Sequence, residues 1–251
     1  NQTGLEEMIL KLDAAGIPIF LKTADNAAHI YFTQELMKES GVPHVLVYRR
    51  AATRDDDVPD YSLPPAEAAV KHWERHLSYF PPELDPSLVW LETVNEVDKN
   101  RADWMAEFAL ETAKLALRDG YRWAAFGWSS GEPEPFHWES PKMLEFLRFV
   151  AEHPDQLAIA LHEYSYERDE ADRWYPYLIG RFQHLFEICD AHGIPRPTVL
   201  ITEWGWEYNR IPESVNQAME DVMWADRLYS AYPEVKGAAI WFLGGRFGNI
   251  H

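Results

Sequence analysis

Apolar positions recur along the chain in two alternating rhythms. Between residues 5 and 15, Leu5, Met8, Ile9 and Leu12 repeat at the helical period. A short continuous apolar run follows at 17–22, then a helical pattern at 27–39 and a second run at 44–49. The segment 66–80 places Ala66, Ala69, Val70, Trp73, Leu77 and Phe80 on one helical face, and 102–118 does the same with Met105, Phe108, Ala109, Thr112 and Leu115. Further apolar runs at 88–95, 122–128, 157–164, 198–204 and 237–243 are separated by helical patterns near 142–151, 175–191 and 215–229. Strands that alternate with helices predict a parallel sheet, because parallel neighbours need a crossover and the crossover helices cover the sheet faces.

Three helix-to-strand junctions repeat one chemistry: Gly16-Ile17-Pro18, Gly41-Val42-Pro43 and Gly193-Ile194-Pro195. Glycine takes the left-handed conformation that ends a helix, and the proline two residues on prevents its resumption. Connections from helix to strand are short (13–16, 40–43, 118–121), whereas those from strand to helix are long and rich in polar and aromatic residues (50–65, 129–141, 163–173, 205–214). Elaborate loops at one end of the strands are how a (β/α)8 barrel builds its active face. No glycine-rich phosphate turn follows any strand, which disfavours a doubly wound nucleotide-binding sheet. The expected fold is therefore α/β, a (β/α)8 TIM barrel, with 1–251 forming one barrel domain. The pattern supplies seven strands, begins on a helix and stops just after a strand. A barrel without its first strand and last helix is expected, with the missing strand most simply placed upstream of Asn1.

The charge balance narrows the partners. With 23 Lys+Arg against 41 Asp+Glu, the formal net charge of −18 argues against nucleic acid and against an anionic membrane surface. No stretch approaches the ~18–20 apolar residues of a membrane span, and no signal-peptide pattern opens the chain. The single cysteine, Cys189, excludes an intramolecular disulfide framework and a thiolate metal cluster, and it sits in an apolar helical pattern as core. A monomer without cofactor is expected; the compartment stays open, secretion included.

Two strands carry the candidate chemistry. Val89-Trp90-Leu91-Glu92-Thr93-Val94-Asn95-Glu96 and Val199-Leu200-Ile201-Thr202-Glu203-Trp204-Gly205-Trp206 are each apolar and end in a carboxylate. A single Glu at a strand end is more often simply solvated. In a parallel barrel, however, Glu96 and Glu203 open onto one rim, and paired carboxylates are what glycosidic cleavage needs.

Asn95-Glu96 ending one strand and Glu203-Trp204-Gly205 ending another three strands later resemble the signature of the clan A retaining glycoside hydrolases. The resemblance implies that Glu96 is the acid/base at the end of the fourth barrel strand and Glu203 the nucleophile at the end of the seventh. With one strand upstream, 88–95 becomes the fourth strand and 198–204 the seventh, so strand count and motif spacing agree. It further implies that Tyr164 donates a hydrogen bond to Glu203, that His162 orients the site, and that Trp241 forms an aromatic platform under the sugar. The chain departs from the clan at Val97, where proline often follows the Asn-Glu pair. The clan's basic residue near the second strand has no clear counterpart; Lys22, Arg49 and Arg50 stand at strand ends, and Arg49 enters the candidate binding set. Asn95 is expected to meet the sugar 2-hydroxyl, and Glu96 to have a raised pKa next to a negative Glu203.

Sugar rings bind flat aromatic surfaces through their apolar face. Of 11 tryptophans, Trp128, Trp204, Trp206 and Trp241 fall at or just past strand ends, and Trp138 lies with Phe136 in the loop 129–141, so these five are candidate substrate contacts. Trp73, Trp104 and Trp224 fall inside helical patterns and are expected to pack. A row of rim aromatics suits an endo-acting enzyme on a β-linked polysaccharide or oligosaccharide.

Other chemistries find less support. His162-Glu163 and His137 have no metal-ligand spacing. Asp55-Asp56-Asp57 lacks the alternating ligands and glycine of a calcium loop and reads as a solvated acidic loop. Ser129-Ser130-Gly131 is not a nucleophile elbow. The alternative is a barrel that binds carbohydrate without cleaving it, or an inactive fragment of a glycosidase, since tryptophans serve binding as well as catalysis. An anionic substrate is disfavoured by the acidic chain, unless basic groups such as Arg49 and Arg246 override it locally.

Overall fold

The computed structural model describes residues 4–168, 170–207 and 212–242. Arg246 lies outside them, as does the end of the last apolar run. The elements follow in the order α1 (Leu5–Ala14), β1 (Phe20–Ala24), α2 (Ala28–Ser40), β2 (Val45–Arg49), α3 (Arg54–Asp57), α4 (Pro65–Tyr79), β3 (Val89–Glu92), α5 (Ala102–Asp119), β4 (Arg122–Trp128), α6 (Pro135–Trp138), α7 (Pro141–Ala151), β5 (Leu157–Tyr164), α8 (Phe182–Ala191), β6 (Thr198–Gly205), α9 (Val215–Ser230) and β7 (Val235–Ile240). All seven strands are parallel and lie in sequence order in one sheet. The sheet curls into a nearly closed barrel. β1 and β7 come into contact without sharing a ladder. Gly237, at φ 131°, lets the Phe20 ring pack across this seam, where a Cβ would lie 3.2 Å from the ring.

Alternation along the strands divides the core in two. Val89, Leu91, Ile159, Leu161, Val199 and Ile201 face outward and join the helices in the larger cluster. Val47, Trp90, Ala124, Ala158, Ala160 and Leu200, with Phe20 and Val45, fill the barrel interior. Side chains of a strand point to opposite faces at a period of two, so each strand serves both layers at once. The interior is a plug of side chains with small alanines opposite Trp90, as expected of a packed barrel.

Most expected elements form where the periodicity placed them. The pattern near 175–191 does not: α8 starts only at Phe182, after a long loop. Pro176 and Gly180 break the segment, one lacking an N–H and the other in the left-handed region at φ 87°. Glu163, facing outward from β5, then anchors the helix start. Its carboxylate accepts hydrogen bonds from the Gly180 N–H (2.7 Å), the Phe182 N–H (3.3 Å) and the Tyr229 hydroxyl (2.7 Å). Burial pushes this carboxyl up to about 7.

The tryptophans are where the sequence expectation needs correction. Trp128, Trp138, Trp204 and Trp206 are all buried and form part of the outer core. Trp128 and Trp138 pack with Phe126 (ring centroids 5.0–6.3 Å apart), and Trp206 packs on Trp204 while its indole N–H donates to Asp221 on α9. The reason is a slip in each ladder: strict alternation from Ala124 and Leu200 would turn Trp128 and Trp204 into the barrel, but the register shifts between Ala125 and Trp128 on β4 and at Thr202 on β6 turn both to the helix side of the sheet, away from the barrel mouth. Trp138→Ala is therefore expected to act on stability, costing about 3–5 kcal/mol as a large aromatic leaves a filled core. Urea unfolding checks this; an unchanged midpoint with weakened glycan binding would return Trp138 to the rim.

Candidate active site

The strand parity that builds the interior plug also lifts a polar layer above it. Phe20 and Val47 point inward, so Lys22 and Arg49, two residues further on, do so as well; Trp90 does the same for Glu92, and Ala160 for His162 and Tyr164. On β6 strict alternation would turn Glu203 outward. The ladder instead slips between Leu161 and His162, which pair with Ile201 and Glu203 respectively. The extra residue, Thr202, allows both Thr202 and Glu203 to reach inside, the way a bulge re-aims a side chain. Thr202 Oγ1 donates to Glu92 Oε1 (3.1 Å).

At the centre is a buried ammonium. Lys22 Nζ lies 2.7 Å from Glu92 Oε2 and 3.0 Å from Glu203 Oε1. Glu203 Oε2 accepts a hydrogen bond from the Tyr164 hydroxyl at 2.7 Å. Arg49 Nη1 stands 3.9 Å from Glu203 Oε1. Burial opposes the Glu203 charge, but His162, Lys22 and Arg49 outweigh it and bring the carboxyl down to about 2. Glu92 experiences the same contest, and Lys22 and His162 hold it well below the usual carboxylate range. Burial and the Glu203 charge drive the Tyr164 hydroxyl far up, so it stays a donor.

Glu96 arrives by a different route. The β3 ladder ends at Glu92, and the chain then turns, with Asn95 N–H donating to the Asp57 carbonyl (2.7 Å) and Glu96 N–H to the Gly127 carbonyl (2.8 Å). Glu96 sits in the left-handed region at φ 46°, a position of backbone strain for a residue with a Cβ. Gly127 permits this approach: at φ 53°, its Cβ would fall 2.8 Å from Glu92 Oε1. The Glu96 side chain is 48% exposed, unlike that of Glu203. Ser129 Oγ donates to Glu96 Oε1 (3.2 Å).

His162 joins the two carboxylates. Its Nδ1 is 3.5 Å from Glu96 Oε1 and 3.5 Å from Glu203 Oε2, while Nε2 is 3.7 Å from Glu92 Oε1. Burial disfavours its charge, yet Glu203 and the contacts to Glu92 and Glu96 raise its pKa overall. The expectation for Glu96 is reversed by this arrangement. Its pKa is lowered, first by the hydrogen bond with His162, against which burial and the negative Glu203 act more weakly. A shared cation between two carboxylates relieves the repulsion that would otherwise keep one of them protonated.

Of the sequence-derived residues, Asn95, Glu96, His162, Tyr164, Glu203, Arg49 and Trp241 converge on this mouth. Trp241 is partly buried, with Lys22 Nζ 5.3 Å and Arg49 Cζ 5.9 Å from its ring centroid. Glu92 and Thr202 were not anticipated, and Lys22 only as one of three basic residues. The signal for Glu92 was legible: a charge inside an apolar parallel strand must find a buried partner, and Lys22 follows an apolar run in the same way. Open aromatic faces on the strand-to-helix loops include Phe136, 64% exposed, and Tyr166 and Tyr177, not the tryptophans. Phe136 borders a hollow of about 520 Å³ with Trp104 and His137. Among the described residues no group of three or more His, Cys, Asp or Glu is arranged to hold a metal ion, and no helix is long and apolar enough to cross a membrane.

No family model and no curated protein sequence matches the chain. Solved structures do. An endo-β-1,4-glucanase from Xanthomonas axonopodis pv. citri superposes with TM-score 0.55 at 17% identity, over 98% of this chain and 82% of its own. A broad-specificity GH5-4 endoglucanase from Clostridium longisporum gives TM-score 0.55 at 11% identity, covering 97% and 79%. One from Ruminococcus champanellensis, with bound cellotriose, gives 0.53 at 13%, covering 97% and 80%. Identities this low speak for the fold alone. The chain has the parallel barrel of the family 5 glycoside hydrolases, with seven strands described, and the resemblance to clan A holds at the level of architecture.

Proposed function

We propose that the chain is a retaining glycoside hydrolase acting within a β-linked polysaccharide or oligosaccharide. The observation that carries this reading is the placement of Glu96 and Glu203 on one histidine nitrogen. Two contacts of 3.5 Å to the same atom bound the separation of the nearest carboxylate oxygens at 7.0 Å. Retaining enzymes hold their carboxyl groups about 5–5.5 Å apart, a separation that this bound accommodates.

In this mechanism a Glu203 oxygen attacks the anomeric carbon while the bond to the leaving oxygen breaks and Glu96 gives that oxygen its proton. Water then attacks the same carbon, Glu96 takes its proton, and the bond to Glu203 breaks. The unequal environments suit the unequal roles. Glu203 is buried, ionised and held by Tyr164 and Lys22; Glu96 faces the opening, where a leaving group and a water must come and go. A bound sugar covers Glu96, removes water and favours its protonated form. Asn95, at the same rim, meets the 2-hydroxyl, and Trp241 lies under the ring. The endo-glucanase neighbours and the cellotriose bound by one of them support an endo mode on a β-linked glycan. Phe136, Tyr166 and Tyr177 offer faces for further rings.

Glu203→Gln is expected to abolish reducing-end release from β-glucans and β-mannans while keeping glycan binding. Glu96→Gln should lose turnover of polysaccharide by roughly 10²–10⁴-fold, yet keep far more of it on a 2,4-dinitrophenyl β-glycoside, whose leaving group needs no proton. Equal losses on both substrates would remove Glu96 from the acid role. Binding without cleavage by the parent protein would leave a carbohydrate-binding barrel.

The pH profile follows from the two carboxyls. Glu203 must be ionised and, at about 2, limits activity only at strongly acidic pH. Glu96 must be protonated, and its lowered pKa makes kcat/KM fall as pH rises out of the acid range. His162→Asn removes the chief influence lowering Glu96 and a major one lowering Glu203, so both limbs should move to higher pH. A basic limb that stays in place would assign it to another group.

A further inference from the structure

Two helices hold the turn that carries Asn95 and Glu96, and a cavity of about 530 Å³ opens between them, a size that suits a small molecule. One is α3, whose Asp57 carbonyl accepts the Asn95 N–H (2.7 Å). The other is α4, whose His72 Nε2 lies 2.6 Å from the Thr93 carbonyl. A carbonyl only accepts, so the ring proton sits on Nε2 and Nδ1 is left as an acceptor. His72 is 5% exposed and forms part of the cavity wall. Burial holds its pKa down to about 4, which keeps the ring neutral.

The charged groups of the wall divide into paired and unpaired. Asp60 accepts from Lys71 Nζ (3.0 Å) and from the Ser62 hydroxyl (2.6 Å). Arg75 is paired with the buried Asp56 (2.8 Å), which also forms the capping box with Thr53 that starts α3. Arg54 and Asp55 make no ion pair and no side-chain hydrogen bond among the described residues. They line the same cavity as one available cation and one available anion. Val58, Pro59 and Ala68 supply an apolar stretch of its wall. The acidic run 55–57 is thus divided: Asp55 lines the cavity, Asp56 is locked into the scaffold, and Asp57 approaches Arg49 (3.8 Å).

A ligand matched to this wall carries a carboxylate and an ammonium close together on an apolar body. The carboxylate meets the Arg54 guanidinium, while the ammonium meets Asp55 and donates to His72 Nδ1. A purely anionic ligand would be opposed by Asp55, and a purely cationic one by Arg54. A neutral sugar would leave both charges unanswered.

We propose that the cavity between α3 and α4 is a second ligand site, separate from the barrel mouth, for a small zwitterion of the amino-acid class with an apolar side chain, and that its occupant braces the turn of Asn95 and Glu96. A molecule that bridges Arg54 on α3 and His72 on α4 restrains both helices, and local opening of the groups they hold becomes rarer. The proposal does not depend on the glycosidase reading.

Calorimetry with L-leucine, N-acetyl-L-leucine and L-leucinamide tests the site, because the last two each lack one of the charges. L-Leucine should bind, and each analogue should bind at least roughly tenfold more weakly, the loss of one charge-assisted contact. Arg54→Gln should erase the preference for leucine over leucinamide, and Asp55→Asn the preference over N-acetyl-leucine. Both residues are exposed, so the variants should melt with the parent protein. Hydrogen exchange of the Asn95 amide should slow at saturating leucine. Absence of leucine binding at tens of millimolar, equal binding of the three compounds, or preferences that survive both substitutions overturn the site. An Asn95 amide that exchanges equally fast with and without bound leucine overturns the brace.

Discussion

The Lys22 ammonium, enclosed between Glu92 and Glu203, is the interaction on which the rest of the barrel mouth depends. Three charges have been taken out of water into one layer, and each is tolerable only in the presence of the others. Removing one member of such a buried set typically costs about 3–5 kcal/mol, because the remaining charge is stranded. The lysine comes from the first described strand and the glutamates from the third and sixth, so the cluster ties distant parts of the sheet together above the apolar plug. It also sets the electrostatics of the site, since the same ammonium that neutralises Glu92 helps to keep Glu203 ionised.

Around that cluster the fold departs from regularity at the places where chemistry is proposed. The slip at Thr202 turns Glu203 inward, and the turn after β3 holds Glu96 in a left-handed conformation above Gly127. Strain of this kind persists only where neighbours over-determine it. Here the Asp57 and Gly127 carbonyls take the two N–H groups of Asn95 and Glu96. His162 then mediates between the proposed nucleophile and the proposed acid. Its position explains how an acidic protein of formal charge −18 keeps a mouth in which cations and anions nearly balance.

The outer layer has a different task. Glu163, one residue from His162, faces away from the site and binds the start of α8 and the Tyr229 hydroxyl. Neighbouring residues on β5 thus face the barrel mouth and the scaffold alternately, and the same holds for Leu91 and Glu92 on β3. A substitution in the outer layer acts on the site only through the strand that carries both.

Much was legible in the chain alone. Periodicity, glycine-proline junctions and the asymmetry of loop lengths determined a parallel α/β barrel and the end of it on which the polar layer gathers, because these features reflect local backbone preferences and the burial of one face per element. The pairing of Asn95-Glu96 with Glu203 was legible for a similar reason, since parallel strands place their C-terminal ends on one rim. Tertiary structure decided the rest. Whether a tryptophan near a strand end faces sugar or helices turns on strand parity and one-residue bulges, and those sent Trp128 and Trp204 into the core while bringing Glu203 to the mouth. The partnership of Lys22 with Glu92, and the lowered pKa of Glu96, arise from contacts between residues far apart in sequence. Electrostatic energy depends on distance and burial in space, and neither is written in the order of residues along the chain.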